Sequence, residues 1–245
     1  MTNASGAASF VLVADNDADN LVFMSMVLQR LEYPARPVNN AEKALETANV
    51  STPALIITEM KLRGISGLEL LRRVRQGPRT KAIPVIIMAR ELTPELAEQC
   101  RQAGAAGCLN KPVQADELYR MIQPIIEPGS RRRNIRIQTR LSVTLDDTTL
   151  DSGQGEGVSM LSANGMYVRT LRSFRLNAPV LIRIDLHGQI VSAEARVIYI
   201  DAPVAGPSGM TGIGLLFQTI MPRGRELIRR FINDEVSHGL APGWT

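Results

Sequence analysis

Short apolar runs alternate with longer amphipathic segments five times in the first half of the chain, and this alternation limits the folds open to it. The runs with β-strand character lie at 10–14, 34–38, 54–58, 84–89 and 107–110. The segments with apolar residues at helical spacing lie at 18–32, 41–49, 66–76, 93–103 and 114–126. Helix N-caps are expected at Asp17, Asn40, Ser66 and Thr93. The pattern predicts an α/β doubly wound five-stranded parallel sheet with helices on both faces.

The segment PIIEPGS, residues 124–130, interrupts this rhythm with two prolines and a glycine. We therefore expect one domain over 1–127 and a second over 128–245. The second contains five alternating or β-branched runs, IQTRLSVTL, NGMYVRT, APVLIRIDL, QIVSAEARVIYI and TGIGLLF. Turn-forming residues separate these runs, which predicts a small antiparallel β-barrel or sandwich, and we expect the barrel. A terminal helix is expected at about 222–236, followed by a short tail.

Composition excludes several classes of protein. A hydrophobic content of 44% with 21% charged residues is ordinary for a globular chain. The apolar runs are far shorter than a membrane-spanning helix, and a signal peptide is not evident, so we expect a cytoplasmic protein without membrane insertion. The chain has only two cysteines, eight residues apart, and two histidines that lie far from them in the sequence. This spacing is not that of a metal-binding motif and argues against a metal site.

The positive charge lies in the second half of the chain. Residues 1–127 contain 14 basic and 14 acidic residues, whereas residues 128–245 contain 14 basic and 10 acidic ones. All 14 basic residues of the second half are arginine. Arginine favours bidentate recognition of phosphate or guanine.

Polar residues follow three strands of the first half. Asp15 and Asn16 follow the first strand, Glu59 ends the third and Lys111 follows the fifth. Because the carboxyl ends of parallel strands meet at one edge of the sheet, these side chains should converge on one corner.

The stretches VLVADNDADNL, ALIITEMKLRGISGLELLRRVR, IPVIIMA and AGAAGCLNKPV resemble the CheY-like receiver domain of bacterial response regulators, over about residues 9–127. The resemblance retains Asp15 and Lys111. It places the phosphorylated aspartate of the family at Glu59, its hydroxyl residue at Ala89 and its second strand-one acid at Asn16.

These three departures imply a receiver that cannot be phosphorylated. Glu59 carries its carboxylate one methylene farther out, and such misplacement costs in-line attack about 100-fold or more. Ala89 cannot bind a phosphoryl oxygen, and Asn16 removes a charge from the metal site. An ion pair between Glu59 and Lys111 is expected instead; the competing interpretation is that this corner is only a residual structural ion pair.

The stretch RRRNIRIQTRL, followed by LSANG and then GIGLLF, resembles the PilZ domain, a bacterial receptor for cyclic di-GMP, over about residues 130–237. Arg132 and Arg136 match its RxxxR element, while Ser162 and Gly165 match its (D/N)xSxxG element. The Asp or Asn of that element falls at Met160, which cannot pair with guanine N–H groups.

The resemblance implies cyclic di-GMP as ligand, bound by Arg131, Arg132, Arg136, Ser162 and Gly165, with no cofactor. Guanidinium groups suit its two phosphates and its guanine edges. SANG, residues 162–165, is also an ordinary turn, in which Asn164 and Gly165 tolerate positive φ.

We therefore expect a non-enzymatic signalling protein in which the receiver docks to a protein partner and the PilZ domain binds cyclic di-GMP. The resemblance implies motility, pilus function or biofilm formation. The alternative is a ligand-independent interaction adaptor in which both domains are degenerate. A nucleic-acid binder is a third hypothesis, weakened by the small charge surplus and the few aromatics, so we expect no DNA partner. Formation of a homodimer is left open.

Overall fold

The computed structural model describes residues 10–130, 134–150, 155–201 and 210–238. The chain divides into two compact units, one that combines residues 1–133 with the end of the chain from Val236 onward and one spanning Asn134–Glu235. Each unit is built on its own sheet.

The first unit is the expected doubly wound α/β fold. Its strands are Val11–Ala14 (β1), Ala35–Val38 (β2), Leu55–Glu59 (β3), Val85–Ala89 (β4) and Gly107–Asn110 (β5). Its helices are Ala18–Arg30 (α1), Ala41–Ser51 (α2), Gly67–Gln76 (α3), Pro94–Gln102 (α4) and Ala115–Ile126 (α5). The strands pair in parallel in the order β2-β1-β3-β4-β5. All residues of β1, β3 and β4 are buried, as expected for strands covered on both faces.

The four N-caps expected from the sequence are confirmed. The side chain of each accepts a hydrogen bond from a backbone N–H two or three residues farther along. The capping residues are Asp17 for α1, Asn40 for α2, Ser66 for α3 and Thr93 for α4. Each contributes about 1 kcal/mol to helix stability.

Gly67 brings the start of α3 close to the end of β3. Its backbone N–H donates to the Met60 carbonyl at 2.8 Å. A Cβ at this position would lie 2.5 Å from the Glu59 carbonyl oxygen. Glycine is therefore required here, because only hydrogen fits between the helix and the strand that carries Glu59.

The second unit is a curled antiparallel sheet with a terminal helix. Its strands are Arg136–Leu141 (β6), Val143–Leu145 (β7), Thr148–Thr149 (β8), Gly157–Ser162 (β9), Gly165–Thr170 (β10), Pro179–Leu186 (β11), Gln189–Ile200 (β12) and Thr211–Ile220 (β13). They pair in the order β6-β9-β10-β13-β12-β11-β7-β8. Only Ser142 separates β6 from β7, yet the two strands pair with β9 and β11 respectively. The sheet must therefore curl until its two ends approach, which confirms the expected barrel-like architecture.

The strand pattern of this unit differs from expectation at three places. The first predicted run divides at Ser142 into β6 and β7, β8 is an additional short strand, and β9 was not predicted. In β9 the register against β10 shifts at Ser159, so that this residue is extra on its strand. A bulge of this kind breaks the alternation of buried and exposed residues on which strand prediction depends.

Helix Pro222–Ser237 (α6) is the last element of the described part of the chain, and its bounds are close to those expected. It buries Ile228, Phe231 and Ile232. The Phe231 ring meets the His187 ring edge-on, with centroids 5.2 Å apart. None of the helices in the described ranges is long and apolar enough to cross a membrane.

Candidate functional site

The corner of the first unit is organised around a buried ammonium group. Lys111 Nζ lies 2.6 Å from Asp15 Oδ2 and forms a second ion pair with Glu59 Oε2. The side chains of Lys111, Asp15 and Glu59 are 4%, 2% and 9% exposed. The ion pair between Glu59 and Lys111 that the sequence predicts is therefore present, and little solvent screens it.

Further hydrogen bonds satisfy both carboxylates. Asp15 Oδ1 accepts from the backbone N–H of Asp17 at 3.0 Å, and Asp15 Oδ2 accepts from the amide of Asn20. Glu59 Oε1 accepts from the backbone N–H of Lys61 at 3.1 Å. All four carboxylate oxygens thus have partners, as buried ionised groups require.

Asn16 holds the loop that follows β3. Its Oδ1 accepts from the backbone N–H of Arg63 at 2.6 Å, and its Nδ2 donates to the carbonyl of Lys61. From the sequence, Asn16 was interpreted only as the loss of an acidic side chain that the receiver family has at this position. Its use as a loop clamp was missed, because the loop lies 45 residues away in the chain.

The structure brings the five predicted corner residues together. Asp15, Asn16, Glu59, Ala89 and Lys111 line one cleft of about 550 Å³. Ala89 ends β4, is 3% exposed, and presents only a methyl group to the cleft, while its carbonyl accepts from the Lys111 backbone N–H at 2.8 Å.

This donor set does not fit a divalent cation. Such a cation takes oxygen ligands, most often carboxylates. The two carboxylates here share the Lys111 ammonium, and the Asn16 carbonyl oxygen is occupied by a backbone N–H. Within residues 10–130, 134–150, 155–201 and 210–238, no group of three or more His, Cys, Asp or Glu side chains is arranged to hold a metal.

In the second unit, Arg136, Ser162 and Gly165 form a row across three strands, which we call the upper row. Arg136 on β6 lies opposite Ser162 on β9, and Ser162 lies opposite Gly165 on β10. Arg136 is exposed, and Ser162 Oγ donates to the Gly165 carbonyl at 2.9 Å. The predicted ligand residues Arg131 and Arg132 lie outside the described residues.

The need for glycine at 165 is steric. Neither Asn164 nor Gly165 has the positive φ considered from the sequence. A Cβ on Gly165 would instead overlap the Leu215 carbonyl oxygen on β13. Arg225 of α6 fixes the adjoining turn, because its guanidinium donates to Asn164 Oδ1 at 2.9 Å and to the Ala163 carbonyl at 3.3 Å.

A second row lies two residues farther along the same strands, and we call it the middle row. It consists of Gln138 on β6, Met160 on β9 and Tyr167 on β10. Gln138 is exposed, whereas Met160 and Tyr167 are half-buried. Met160, the mismatch to the PilZ signature, thus lies between the Gln138 amide and the Tyr167 phenol. Neither of these two residues was predicted from the sequence to belong to the site.

Two tyrosines lie over the glycines of the GIG stretch on β13. A Cβ on Gly212 would overlap the Tyr167 hydroxyl, and one on Gly214 would overlap the Tyr199 ring. The two rings are stacked, with centroids 6.1 Å apart and an interplanar angle of 27°. The GIGLLF stretch was noted in the sequence, but the partners of its glycines come from β10 and β12, the two strands that flank β13 in the sheet.

Hydrogen bonding, burial and nearby negative charge raise the pKa of both tyrosines. The Tyr167 hydroxyl donates to Asp201 Oδ2 at 2.6 Å, which raises the pKa of Tyr167 to about 12. Burial raises the pKa of Tyr199, Asp201 raises it further, and the positive charge of Arg136 opposes the rise. The Arg136 guanidinium is therefore within electrostatic range of Tyr199, and that of Arg169 is within range of Tyr167.

Comparison with known proteins identifies a family for each unit. The profile of the response regulator receiver domain matches residues 11–123. The profile of the PilZ domain matches residues 130–234. Both are typically signalling or binding domains.

Similar sequences come from bacteria and plants. The chain is 28% identical over 156 residues to the sensory/regulatory protein RpfC of Xanthomonas campestris pv. campestris, a match that covers 60% of this chain but only 22% of that protein. It is 32% identical over 118 residues to the two-component response regulator ORR6 of Oryza sativa subsp. japonica, covering 47% of this chain and 69% of the relative. For the response regulator ORR5 of the same plant, identity is 31% over 123 residues, and the match covers 49% of this chain and 91% of the relative.

Among solved structures, the chemotaxis response regulator CheY4 of Vibrio cholerae has 24% identity and a TM-score of 0.46, over 49% of this chain and 99% of that one. The response regulator receiver protein of Pseudomonas putida has 27% identity and a TM-score of 0.45, over 49% and 98% of the two chains. From its matches to the rice proteins and to the two domain profiles, the chain belongs to the two-component response regulator family, with a receiver domain over residues 11–123 and a PilZ domain over residues 130–234.

Proposed function

We propose that this protein is a bacterial signalling protein that binds cyclic di-GMP through its PilZ domain and uses a phosphorylation-incompetent receiver domain to dock to a protein partner. The observation that carries the first part is the upper row. Arg136, Ser162 and Gly165 are neighbours across three strands, although up to 29 positions separate them in the chain. PilZ is a family of cyclic di-GMP receptors, and these residues match its signature.

The chemistry of the upper row suits this ligand. Arg136 is exposed, so its guanidinium fork is available to a phosphate or to a guanine edge. Gly165 lets β10 lie close against β13 and so holds the strand that pairs with Ser162 in place. In the proposal Arg131 and Arg132 supply further charge-assisted hydrogen bonds, each contributing roughly 1.5–3 kcal/mol. A few such bonds account for micromolar affinity, about −8 kcal/mol.

The second part of the proposal rests on the corner of the first unit. The Glu59 carboxylate is bound to Lys111 on one oxygen and to the Lys61 backbone on the other. This carboxylate is therefore not free to attack a phosphoryl donor, and its extra methylene misaligns it. Ala89 offers no hydroxyl to a phosphoryl oxygen. A permanent ion pair holds the surface of the domain in one state, which suits constitutive docking to a protein partner. We propose that this docking takes place in the cytoplasm and serves motility, pilus function or biofilm formation.

Calorimetric titration of cyclic di-GMP into the full chain tests the first part. We expect saturable binding that is lost in Arg136→Ala. Arg183→Ala is the matched control, because Arg183 is an exposed arginine on β11 and should leave binding unchanged. Absence of binding in the unsubstituted protein at high micromolar ligand would contradict the proposal and favour a ligand-independent adaptor.

Incubation with acetyl phosphate and Mg²⁺ tests the second part. We expect no gain in mass by intact-protein mass spectrometry, since an acyl phosphate cannot form on an ion-paired glutamate in this position. A receiver domain with the family aspartate is the positive control. A phosphoryl group mapped to Glu59 would show that the domain is phosphorylated after all.

A further inference from the structure

A cavity lies beside the upper row, between β6, β9 and β10. It has a volume of about 780 Å³ and is lined by residues of β6, β9 and β10, including the whole middle row. The middle row lies two residues from the upper row along each strand, a separation of about 7 Å. A dinucleotide held by Arg136 therefore reaches this cavity.

Gln138 supplies the polar group that Met160 lacks. The two residues are directly opposite each other on antiparallel strands, so their Cβ atoms are about 4.5–5.5 Å apart. The glutamine amide both donates and accepts hydrogen bonds, whereas a thioether is at most a weak acceptor. Gln138 is exposed and lines the cavity, so its amide is available to a ligand.

Tyr167 gives the cavity a fixed aromatic face. Its hydroxyl is bound to Asp201 and its ring stacks on Tyr199, so the side chain is held from two sides. Bases of every kind stack on such a ring. The amide of Gln138 can hydrogen-bond to the edge of a purine base, and the ring of Tyr167 can stack on its face. The cavity therefore offers both kinds of contact by which proteins bind a purine.

Charge in the cavity favours an anionic ligand. Arg140 and Arg169 both line it. The carboxylate that also lines it, Glu156, accepts hydrogen bonds from Thr170 Oγ1 at 2.9 Å and from the Leu171 backbone at 2.7 Å. Glu156 is thus tied to the protein, while the two arginines are placed to attract a phosphate.

We propose that Gln138 is the residue that reads the base edge of the bound cyclic dinucleotide, with Tyr167 as the stacking surface. This inference rests on the proposed ligand-binding function. An amide pairs with guanine through N1–H and O6, and equally with adenine through N6–H and N7. A carboxylate at position 160 would accept only, which selects guanine. The site therefore discriminates weakly between guanine and adenine.

The test is a titration of cyclic di-GMP and cyclic di-AMP into full-length variants. We expect the Kd values of the unsubstituted protein for the two ligands to differ by about tenfold or less. Gln138→Ala should weaken both by about tenfold, the loss of one or two hydrogen bonds to the base. Gln189→Ala, an exposed glutamine at the start of β12, is the matched control and should change neither Kd. Met160→Asp should tighten cyclic di-GMP alone and make Gln138→Ala less costly.

The outcomes separate this inference from the proposed function. If cyclic di-GMP binds and Arg136→Ala removes binding, but Gln138→Ala leaves both Kd values unchanged, the role of Gln138 is refuted and the receptor function stands. Cyclic di-AMP binding more than about a thousandfold weaker than cyclic di-GMP also refutes it. If the unsubstituted protein binds neither ligand, both the function and the inference fail.

Discussion

The positive charge of Lys111 compensates the two buried carboxylates of Asp15 and Glu59, which would otherwise destabilise the folded protein. Without its ammonium, Asp15 and Glu59 would remain close together, buried and uncompensated. Breaking a buried ion pair by removing one partner costs about 3–5 kcal/mol. We expect Lys111→Met to lower the free energy of unfolding by about this amount, measured by urea denaturation. Lys81→Met, at an exposed lysine, should change it by less than about 0.5 kcal/mol. Equal effects of the two substitutions would show that the ion pair is not a stabilising contact.

The hydrogen bond from Tyr167 to Asp201 makes stability depend on alkaline pH. The pKa of Tyr167 is raised to about 12 in the folded protein, from about 10 in an unfolded chain. The bond therefore contributes fully below about pH 10 and is lost as the pH rises from about 10 towards 12.

We expect the difference in free energy of unfolding between the unsubstituted protein and Tyr167→Phe to shrink steadily from about pH 10 towards pH 12. Asp201→Asn, made in the Tyr167→Phe background, should change only the smaller pH dependence that comes from Tyr199, whose pKa Asp201 also raises. A difference that grows with pH would show that the hydroxyl is not held in its neutral form.

At the scale of a strand, Gly212 makes room for a tyrosine from its neighbour. A methyl group there would overlap the Tyr167 hydroxyl, so Gly212→Ala must displace the ring. We expect a cost of about 1–3 kcal/mol in the free energy of unfolding. In a Tyr167→Ala background the same substitution should be neutral, or stabilise by up to about 1 kcal/mol, because alanine is the better strand residue. Urea denaturation of the four proteins gives this cycle, and an equal cost in both backgrounds would rule out the tyrosine as the cause.

Helix α6 supports the turn between β9 and β10 through one arginine. Arg225 donates to Asn164 and Ala163, and the Asn164 carbonyl accepts from the Phe217 backbone N–H at 2.9 Å. We expect Arg225→Ala to speed hydrogen exchange at Phe217 and to weaken cyclic di-GMP binding about fivefold, because the turn positions Ser162 and Gly165. Arg229→Ala, at an exposed arginine on the same helix, should do neither. Unchanged exchange at Phe217 in Arg225→Ala would show that the turn does not depend on α6.

At the scale of the whole molecule, the charge distribution separates a dinucleotide receptor from a nucleic-acid binder. The formal net charge is +4, and the excess lies in residues 128–245. Affinity for duplex DNA falls steeply with salt, because each neutralised phosphate releases a counterion. A cyclic dinucleotide has only two phosphates, so its binding depends less on salt.

We therefore expect the Kd for cyclic di-GMP to rise by less than about tenfold between about 0.05 and 0.5 M salt, measured by calorimetry. Duplex DNA of random sequence should not be retained at about 0.15 M salt in a fluorescence anisotropy assay. Retention of DNA at that salt concentration would favour the nucleic-acid hypothesis over the dinucleotide one.

The sequence by itself determined the features that depend on residues close together in the chain. The helices of the first unit and their four caps follow from apolar spacing and from single polar side chains, and each is correct. Convergence of Asp15, Glu59 and Lys111 was also predictable, because every strand of a parallel sheet ends at the same edge. In the second unit, the alternation of apolar and polar residues and the turn-forming residues were sufficient to predict an antiparallel β architecture.

Only the tertiary structure decided which side chains meet across strands. The bulge at Ser159 hides β9 from pattern analysis, yet this strand places Gln138 and Tyr167 on either side of Met160. The clamp formed by Asn16 likewise depends on a loop far along the chain. Cross-strand register is set by packing and by bulges rather than by local preference, and a shift of one residue would turn every side chain of the strand to its other face. The residues of the middle row could therefore not be read from the order of the amino acids.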